Sequence, residues 1–161
     1  NVTLAKHFQY IYEANHSQLS KQDIKEDVLD KMQLLGLNQG EQLLKRYPFE
    51  LSGGMAQRVA FIMSLIRRPD YLFLDEPTSA LDQGNVKKFM HYLLKAQERY
   101  QMTIVFITHD INLVKDCATH ISIMQQGQLI ESGEAASILT KPTHSYTKKL
   151  ITFAHRRQPY A

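Results

Sequence analysis

The sequence predicts an α/β fold in which a parallel sheet is flanked by helices. Two apolar runs predict strands: residues 71–74 form a continuous run typical of a strand buried on both faces, and residues 103–108 indicate a second buried strand. The segment between the runs has apolar residues at helical spacing, namely Val86, Phe89, Met90, Leu93 and Leu94. Because the strands alternate with helices, they are expected to run parallel, and ligands then bind beyond their carboxyl ends.

Composition is that of an ordinary globular protein. Of the 161 residues, 43% are hydrophobic and 22% are charged, and the net charge of +3 is too small to indicate a polyanion-binding protein. Cys117 is the single cysteine, so no internal disulfide can form, which fits a reducing compartment. The longest strongly apolar stretches, 61–66 and 104–107, are far shorter than the roughly 20 residues of a membrane-spanning helix.

The first fifty residues are predicted to be helical. Residues 2–12 form the first helix, and Ser20 followed by Asp23 is a capping pair for the second. Apolar residues at helical spacing then lead to Gly36, a helix-stop signal, and they are Ile24, Val28, Leu29, Met32 and Leu35. Pro48 marks the break before the next element.

Beyond the second apolar run, the pattern changes to short elements. Residues 110–118 are predicted to form a short helix. Residues 121–124 and 128–131 are predicted to form two strands joined by a turn at Gly127, and the tail from about Glu134 is mostly helical.

Two adjacent carboxylates, Asp75 and Glu76, follow the first apolar run. Successive side chains of a strand point to opposite faces, so the two can do different work. One can hold a hydrated Mg²⁺ ion, and the other can orient or deprotonate a water molecule. A solvated acidic turn that caps the next helix is the alternative interpretation.

A histidine, His109, follows the second run between Thr108 and Asp110. If the two strands are neighbours, its side chain would lie near the carboxylates and could contact a phosphate or an attacking water. The alternative is a helix-capping Asp110 beside an incidental histidine. The other six histidines show no spacing typical of metal ligands.

A glycine turn with the sequence LSGGMAQ, residues 51–57, precedes a predicted helix that runs to about Arg68. Gly53 and Gly54 free the backbone N–H groups to approach an anion, and the helix N-terminus adds partial positive charge. Ser52 could cap the helix or donate to a phosphate oxygen. A plain Gly-Gly turn is the alternative.

Together and in this order, these motifs resemble those of the ATPase subunit of ABC transporters. Residues 51–57 match the signature motif, residues 75–76 the Walker B aspartate and catalytic glutamate, residues 79–82 the D-loop, and His109 the switch histidine. The match covers residues 47–131. The resemblance implies an ABC-type P-loop NTPase core with an α-helical subdomain.

The resemblance also implies a role for each residue. Asp75 would hold Mg²⁺ through water, Glu76 would polarise the attacking water, and His109 would contact the γ-phosphate of ATP. Asp82 would help to couple the two halves of a dimer. The resemblance assigns seven residues to binding of the ATP that the opposite subunit holds: Leu51, Ser52, Gly53, Gly54, Met55, Gln57 and Asp82.

Two segments near the C-terminus narrow the resemblance to one group of ABC transporters. Residues 127–133 and 142–150 look like the C-terminal segment of oligopeptide, dipeptide and nickel importers, although Ser145 stands where a proline is usual. A generic amphipathic helix with a basic end is the alternative. The function so implied is an ATP-binding and ATP-hydrolysing subunit that powers import of peptides, nickel or a related small solute.

The implied partners are a second ABC ATPase subunit and transmembrane permease subunits, and indirectly a substrate-binding protein. Nucleic acid is not expected among them. The subunit would lie at the cytoplasmic face of the cell membrane, held there by the permease. Two other functions stay open: an ABC-type ATPase of DNA repair or translation, and a non-catalytic remnant of the fold.

By resemblance, residues 1–68 would be the helical subdomain with the signature motif, 69–133 the Walker B, D-loop and switch-histidine core, and 134–161 the importer-type segment. The family's phosphate-binding P-loop, G-x-x-x-x-G-K-[ST], has no match, since none of the seven glycines is followed by lysine. The N-terminal part of the domain is therefore expected to be missing and Asn1 to be internal to a longer domain. The chain alone is expected not to hydrolyse ATP.

Overall fold

The computed structural model describes residues 2–15, 18–79 and 81–156. Asn1, and Ala80 of the predicted D-loop, lie outside the described residues. The chain divides into two compact units, residues 1–107 and residues 108–161.

The first unit begins with a set of helices: α1 (Leu4–Ala14), α2 (Lys21–Leu34), α3 (Gly40–Leu44), a 3₁₀ turn (Pro48–Glu50) and α4 (Gly53–Leu65). The predicted cap of α2 is confirmed. Ser20 Oγ accepts a hydrogen bond from the Asp23 N–H at 3.2 Å, and the Asp23 carboxylate accepts one from the Ser20 N–H at 3.1 Å.

Gly36 ends α2 as predicted, with a left-handed φ of +70°. A second constraint also requires glycine at this position. A Cβ atom on residue 36 would lie 1.9 Å from the hydroxyl oxygen of Tyr92. The absent side chain therefore lets the end of α2 pack directly against the helix that carries Tyr92.

A parallel β–α–β unit completes the first unit. Strand β1 (Tyr71–Asp75), helix α5 (Gln83–Tyr100) and strand β2 (Thr103–Ile107) follow one another, and the strands pair in register. The predicted parallel pairing is thereby confirmed. The buried core that these elements share with the N-terminal helices includes Phe8, Met32, Leu35, Ile62, Leu65, Leu93 and Met102.

The prediction that both apolar runs are buried on both faces is wrong. In the second run no residue of β2 is fully buried, and Ile107 is 50% exposed. The first run is covered on one face. Leu72 is buried, but Tyr71 and Phe73 are 65% and 68% exposed. Side chains alternate between the two faces of a strand, and in the described chain helices cover only the face that carries Leu72. An apolar run shows that both faces of a strand are suited to burial. Whether both faces are covered depends on which helices and strands pack against the sheet.

The second unit contains a 3₁₀ turn (Ile111–Leu113), strands β3 (His120–Gln125) and β4 (Gln128–Glu134), and helices α6 (Ala135–Thr140) and α7 (Ser145–Arg156). The strands form an antiparallel hairpin, as predicted. Gln126 and Gly127 at its tip have φ of 48° and 76°, the pair of positive values that a tight type I′ turn requires.

The helix predicted over residues 110–118 is replaced by the 3₁₀ turn and further turns. The Asp110 carboxylate accepts a hydrogen bond from the N–H of Asn112, only two residues ahead, at 3.0 Å. Such a local bond competes with helical hydrogen bonding and favours a tight turn. The side-chain amide of Asn112 in turn donates to the Ala154 carbonyl of α7 at 3.1 Å, which fixes the turn to that helix.

Candidate functional site

The carboxyl end of β1 holds the two acidic candidates in different environments. Asp75 is the last residue of the strand and is exposed, whereas Glu76 is half-buried and has a left-handed φ of 44°. The Glu76 N–H donates to the Ile107 carbonyl of β2 at 3.0 Å, and the Ser79 hydroxyl donates to the Glu76 carbonyl at 3.0 Å. Left-handed backbone is costly for a residue with a side chain, so the hydrogen bonds on either side of Glu76 are what hold it there.

Asp75 is the residue that could take part in holding a hydrated magnesium ion. Among residues 2–15, 18–79 and 81–156, no three or more histidine, cysteine or carboxylate side chains converge on a possible metal position. Mg²⁺ keeps several waters and is commonly bound through one or two carboxylates together with substrate phosphates. A single exposed carboxylate such as Asp75 suits that mode of binding.

The D-loop segment ends in a helix cap. The Asp82 carboxylate accepts hydrogen bonds from the Asn85 N–H at 3.0 Å and from the Asn85 side-chain amide at 2.5 Å, and so begins α5. Donation from the Asn85 backbone is the main cause that lowers the pKa of Asp82 below its usual value. The carboxylate is exposed, so it holds the start of α5 while it remains accessible to another molecule.

The glycine turn forms the N-terminus of α4, as predicted. Ser52 Oγ accepts from the Met55 N–H at 3.4 Å, so the capping role is observed. The cap uses a lone pair of the hydroxyl oxygen, so it remains compatible with donation of the hydroxyl proton to a phosphate. Around Gly53 the space is open, and a Cβ at Gly54 would lie 3.9 Å from Leu81. The structure therefore brings the glycine turn and the D-loop segment together.

Arg58 is a contributor to this turn that the sequence reasoning missed. Its Nε donates to the Gly54 carbonyl at 3.0 Å and its Nη1 to the Gly36 carbonyl at 3.4 Å. The guanidinium thereby links the glycine turn to the end of α2; its position four residues after Gly54 was the available signal. The remaining residues assigned to nucleotide binding are half-buried beside it, and they are Leu51, Met55 and Gln57.

His109 belongs to the second unit, where its side chain is exposed. Strands β1 and β2 are neighbours, whereas the placement of His109 near the carboxylates stays a prediction. Both the backbone and the side chain of the neighbouring Asp110 are hydrogen-bonded. Its N–H donates to the Thr108 hydroxyl at 3.0 Å, and its carboxylate caps the 3₁₀ turn.

Glu131, which the sequence reasoning also missed, joins the two segments that look importer-like, residues 127–133 and 142–150. Its carboxylate accepts hydrogen bonds from the Thr143 N–H at 2.7 Å, the Thr143 hydroxyl at 2.8 Å and the His144 N–H at 3.2 Å. Donation from the Thr143 backbone is the largest of the causes that lower the Glu131 pKa to about 2. The two segments that look importer-like are therefore in direct contact, and Glu131 fixes the turn before α7.

Glu131→Gln is expected to destabilise the second unit in a pH-dependent way. The pKa of Glu131 falls from 4.5 to about 2 in the folded chain, so the carboxylate stabilises the fold above pH 4.5 and this contribution is lost as the pH falls toward 2. Urea unfolding should show the largest difference between variant and wild type near neutral pH and almost none at about pH 2. Glu134→Gln, at the exposed end of β4, is the matched control, and a difference that did not change with pH would contradict the prediction.

Solved structures with this fold are ABC ATPase cassettes. The dimeric structure of MJ0796, a bacterial ABC transporter cassette, has a TM-score of 0.70 and 26% identity over 83% of this chain and 57% of that one. The structure of cbiO1 from Clostridium perfringens, part of the ABC transporter complex cbiONQ, also has a TM-score of 0.70, with 27% identity over 94% of this chain and 57% of that one. The fold is that of an ABC ATPase cassette.

Sequence comparisons find the same similarity. The ABC transporter family model matches residues 2–79. The metal-staphylopine import system ATP-binding protein CntD of Staphylococcus aureus is 34% identical over 85% of this chain and 51% of its own length. The dipeptide transport ATP-binding protein DppD of Haemophilus influenzae is 39% identical over 84% of this chain and 41% of its own length. The chain is similar to ABC transporter ATP-binding proteins, among them proteins of metal-staphylopine import and dipeptide transport, and it spans about half the length of these relatives.

No helix in the described part of the chain is both long enough and apolar enough to cross a membrane.

Proposed function

We propose that this chain supplies the signature and Walker B elements of an ABC ATPase that powers solute import. The observation that carries the proposal is the end of β1, where Glu76 has a left-handed backbone that is hydrogen-bonded to β2. In this proposal Asp75 holds Mg²⁺ through water, Glu76 polarises the attacking water and His109 contacts the γ-phosphate. Bound Mg²⁺ would neutralise charge that develops on the phosphate oxygens, while the protein positions the reactants.

The glycine turn would bind the γ-phosphate of an ATP molecule held by a second ATPase subunit. Open space around Gly53 and exposure of Ser52 support this role, because phosphate oxygens could approach the N-terminus of α4 directly. Asp82, close to the turn through Leu81, would couple the two subunits. In the same proposal residues 1–68, 69–133 and 134–161 are the helical, catalytic-core and importer-type segments.

The proposed cargo is a peptide, nickel or a related small solute. Three similar proteins support this cargo class: CntD acts in metal-staphylopine import, DppD in dipeptide transport, and MetN of Streptococcus pyogenes in methionine import. The proposed partners are permease subunits, which would hold the ATPase at the cytoplasmic face of the membrane, and indirectly a substrate-binding protein.

A chimeric cassette tests the proposal. In it, this chain replaces the matching region of Haemophilus influenzae DppD, so that DppD supplies the remainder of its own length. The chimera is expected to hydrolyse MgATP, whereas the 161-residue chain alone is not, because its sequence has no G-x-x-x-x-G-K-[ST] motif. A chimera that folds and binds ATP without hydrolysing it would contradict the proposal. Hydrolysis by the chain alone that Glu76→Gln abolished would contradict the expectation for the isolated chain.

A further inference from the structure

A cavity of about 270 Å³ lies among the residues that link α2 to α3, α3 itself and α4. This volume is just below the usual range of roughly 300–1,000 Å³ for small-molecule sites, so the cavity suits a compact ligand. Its apolar lining is Leu37, Leu43 and Met55, of which the first two are buried. Ser52 and Gly53 do not line it, so the residues proposed to meet the phosphate of ATP lie outside the cavity.

Arg58 lines this cavity with much of its hydrogen-bonding capacity still available. A guanidinium has five N–H donors. Within the described chain Arg58 uses two of them, on the carbonyls of Gly54 at 3.0 Å and Gly36 at 3.4 Å. The side chain is half-buried, and a cation that is partly removed from water is stabilised by an anion beside it. The remaining donors of Arg58 therefore suit an anionic ligand.

A second arginine, Arg46, lines the cavity, and no carboxylate of the described chain does. Arg46 is exposed, and the ion pairs of the described residues do not include it. The exposed side-chain amides of Asn38, Gln39 and Gln42 add hydrogen-bond donors and acceptors. The cavity thus offers two positive groups to an anion, with apolar side chains beside them.

We propose that this cavity binds a small organic carboxylate, with the carboxylate held by Arg46 and Arg58 and a short apolar chain against Leu43 and Met55. A guanidinium matches a carboxylate through two parallel hydrogen bonds, which favours this class of anion. The apolar chain would add affinity because its surface leaves water. Since Arg58 also holds the Gly54 carbonyl, the bound anion would contact the side chain that anchors the glycine turn.

The probe is 4-methylpentanoate, and 4-methylpentanamide is its neutral twin of nearly the same shape. Titration of the ¹⁵N-labelled 161-residue chain with the carboxylate should shift the NMR signal of the Arg58 Nε–H and the backbone N–H signals of Leu37 and Met55. The amide should bind at least about tenfold more weakly, because hydrogen bonds between charged groups are the stronger ones. Acetate, which lacks the apolar chain, should also bind more weakly than the probe.

Substitutions in the lining provide the matched tests. Arg46→Gln should weaken binding of 4-methylpentanoate by about fivefold, the upper end of what an exposed ion pair contributes. Arg67→Gln removes the same charge from an exposed position outside the cavity and should leave binding unchanged. Gln42→Glu places a carboxylate in the lining, where it would compete with the ligand for the arginines. Gln33→Glu makes the same change on an exposed position of α2, outside the cavity, and should not weaken binding.

Several results would overturn the proposal. Equal binding of 4-methylpentanoate and its amide would do so, as would binding that leaves the Arg58 Nε–H signal in place. Equal losses in Arg46→Gln and Arg67→Gln would show attraction to net charge and not to this cavity. Binding of inorganic phosphate without binding of 4-methylpentanoate would show a site for inorganic anions only, which also contradicts the proposal.

The test is independent of ATP hydrolysis, because no nucleotide is present in these titrations. Selective binding of 4-methylpentanoate beside an inactive chimera would uphold the cavity as a carboxylate site and refute the catalytic role. An active chimera without selective binding would do the reverse.

Discussion

Glu76→Gln in the chimeric cassette is expected to lower the rate of ATP hydrolysis by about 10²–10⁴-fold, the usual contribution of a positioned general base. Glutamine has nearly the shape of glutamate, but its amide does not accept a proton from the attacking water. The left-handed backbone of residue 76 is fixed by main-chain hydrogen bonds to Ile107 and Ser79, which the substitution leaves in place. MgATP binding should therefore persist while hydrolysis falls.

Single-turnover hydrolysis and nucleotide binding, measured on the same preparation, separate these two effects. Glu98→Gln on α5 removes the same charge from an exposed position and should leave both unchanged. If the Glu76 variant hydrolysed ATP at the rate of the unmodified chimera, the proposed role of the carboxylate would be refuted. If it lost ATP binding as well, the residue would have a structural role in place of the proposed one.

Local signals in the sequence predicted the elements whose structure depends on neighbouring residues. The Ser20 and Asp23 cap, the glycine stop at Gly36 and the turn at Gly127 all depend on contacts or backbone angles within a few residues, and all are confirmed. The parallel pairing of β1 and β2 also followed from the sequence, because a strand–helix–strand order leaves little other choice.

Features that depend on distant residues were not predictable in the same way. The exposure of Phe73 is set by which elements pack on the sheet, and an apolar run carries no information about that. The contact of Glu131 with Thr143 joins residues twelve positions apart across a turn, so no periodicity marks it. The roles assigned to the acidic pair and to His109 came from the resemblance and stay predictions, although the structure shows how the backbone presents Glu76.

Asp27→Ala is expected to lower the free energy of unfolding by about 3 kcal/mol, toward the lower end of the effect of breaking a buried ion pair. The Lys31 ammonium lies 2.5 Å from both carboxylate oxygens of Asp27, and the Lys31 side chain is only 3% exposed. The Tyr12 hydroxyl also donates to Asp27. The substitution leaves the buried ammonium without its carboxylate partner and with the Tyr100 ring 5.8 Å away. The 32% exposure of Asp27 lets water relieve part of the cost.

The same helix carries a matched control. Asp30 pairs with Arg99 at 2.6 Å, but both side chains are 46% exposed, so Asp30→Ala should cost less than about 1 kcal/mol. The double variant Asp27→Leu, Lys31→Met removes both buried charges and should recover most of the loss, because the penalty comes from the unpaired ammonium. Urea unfolding followed by circular dichroism measures all three. Equal losses for Asp27→Ala and Asp30→Ala would mean that burial does not govern these ion pairs, since the two aspartates differ chiefly in how far their partners are removed from water.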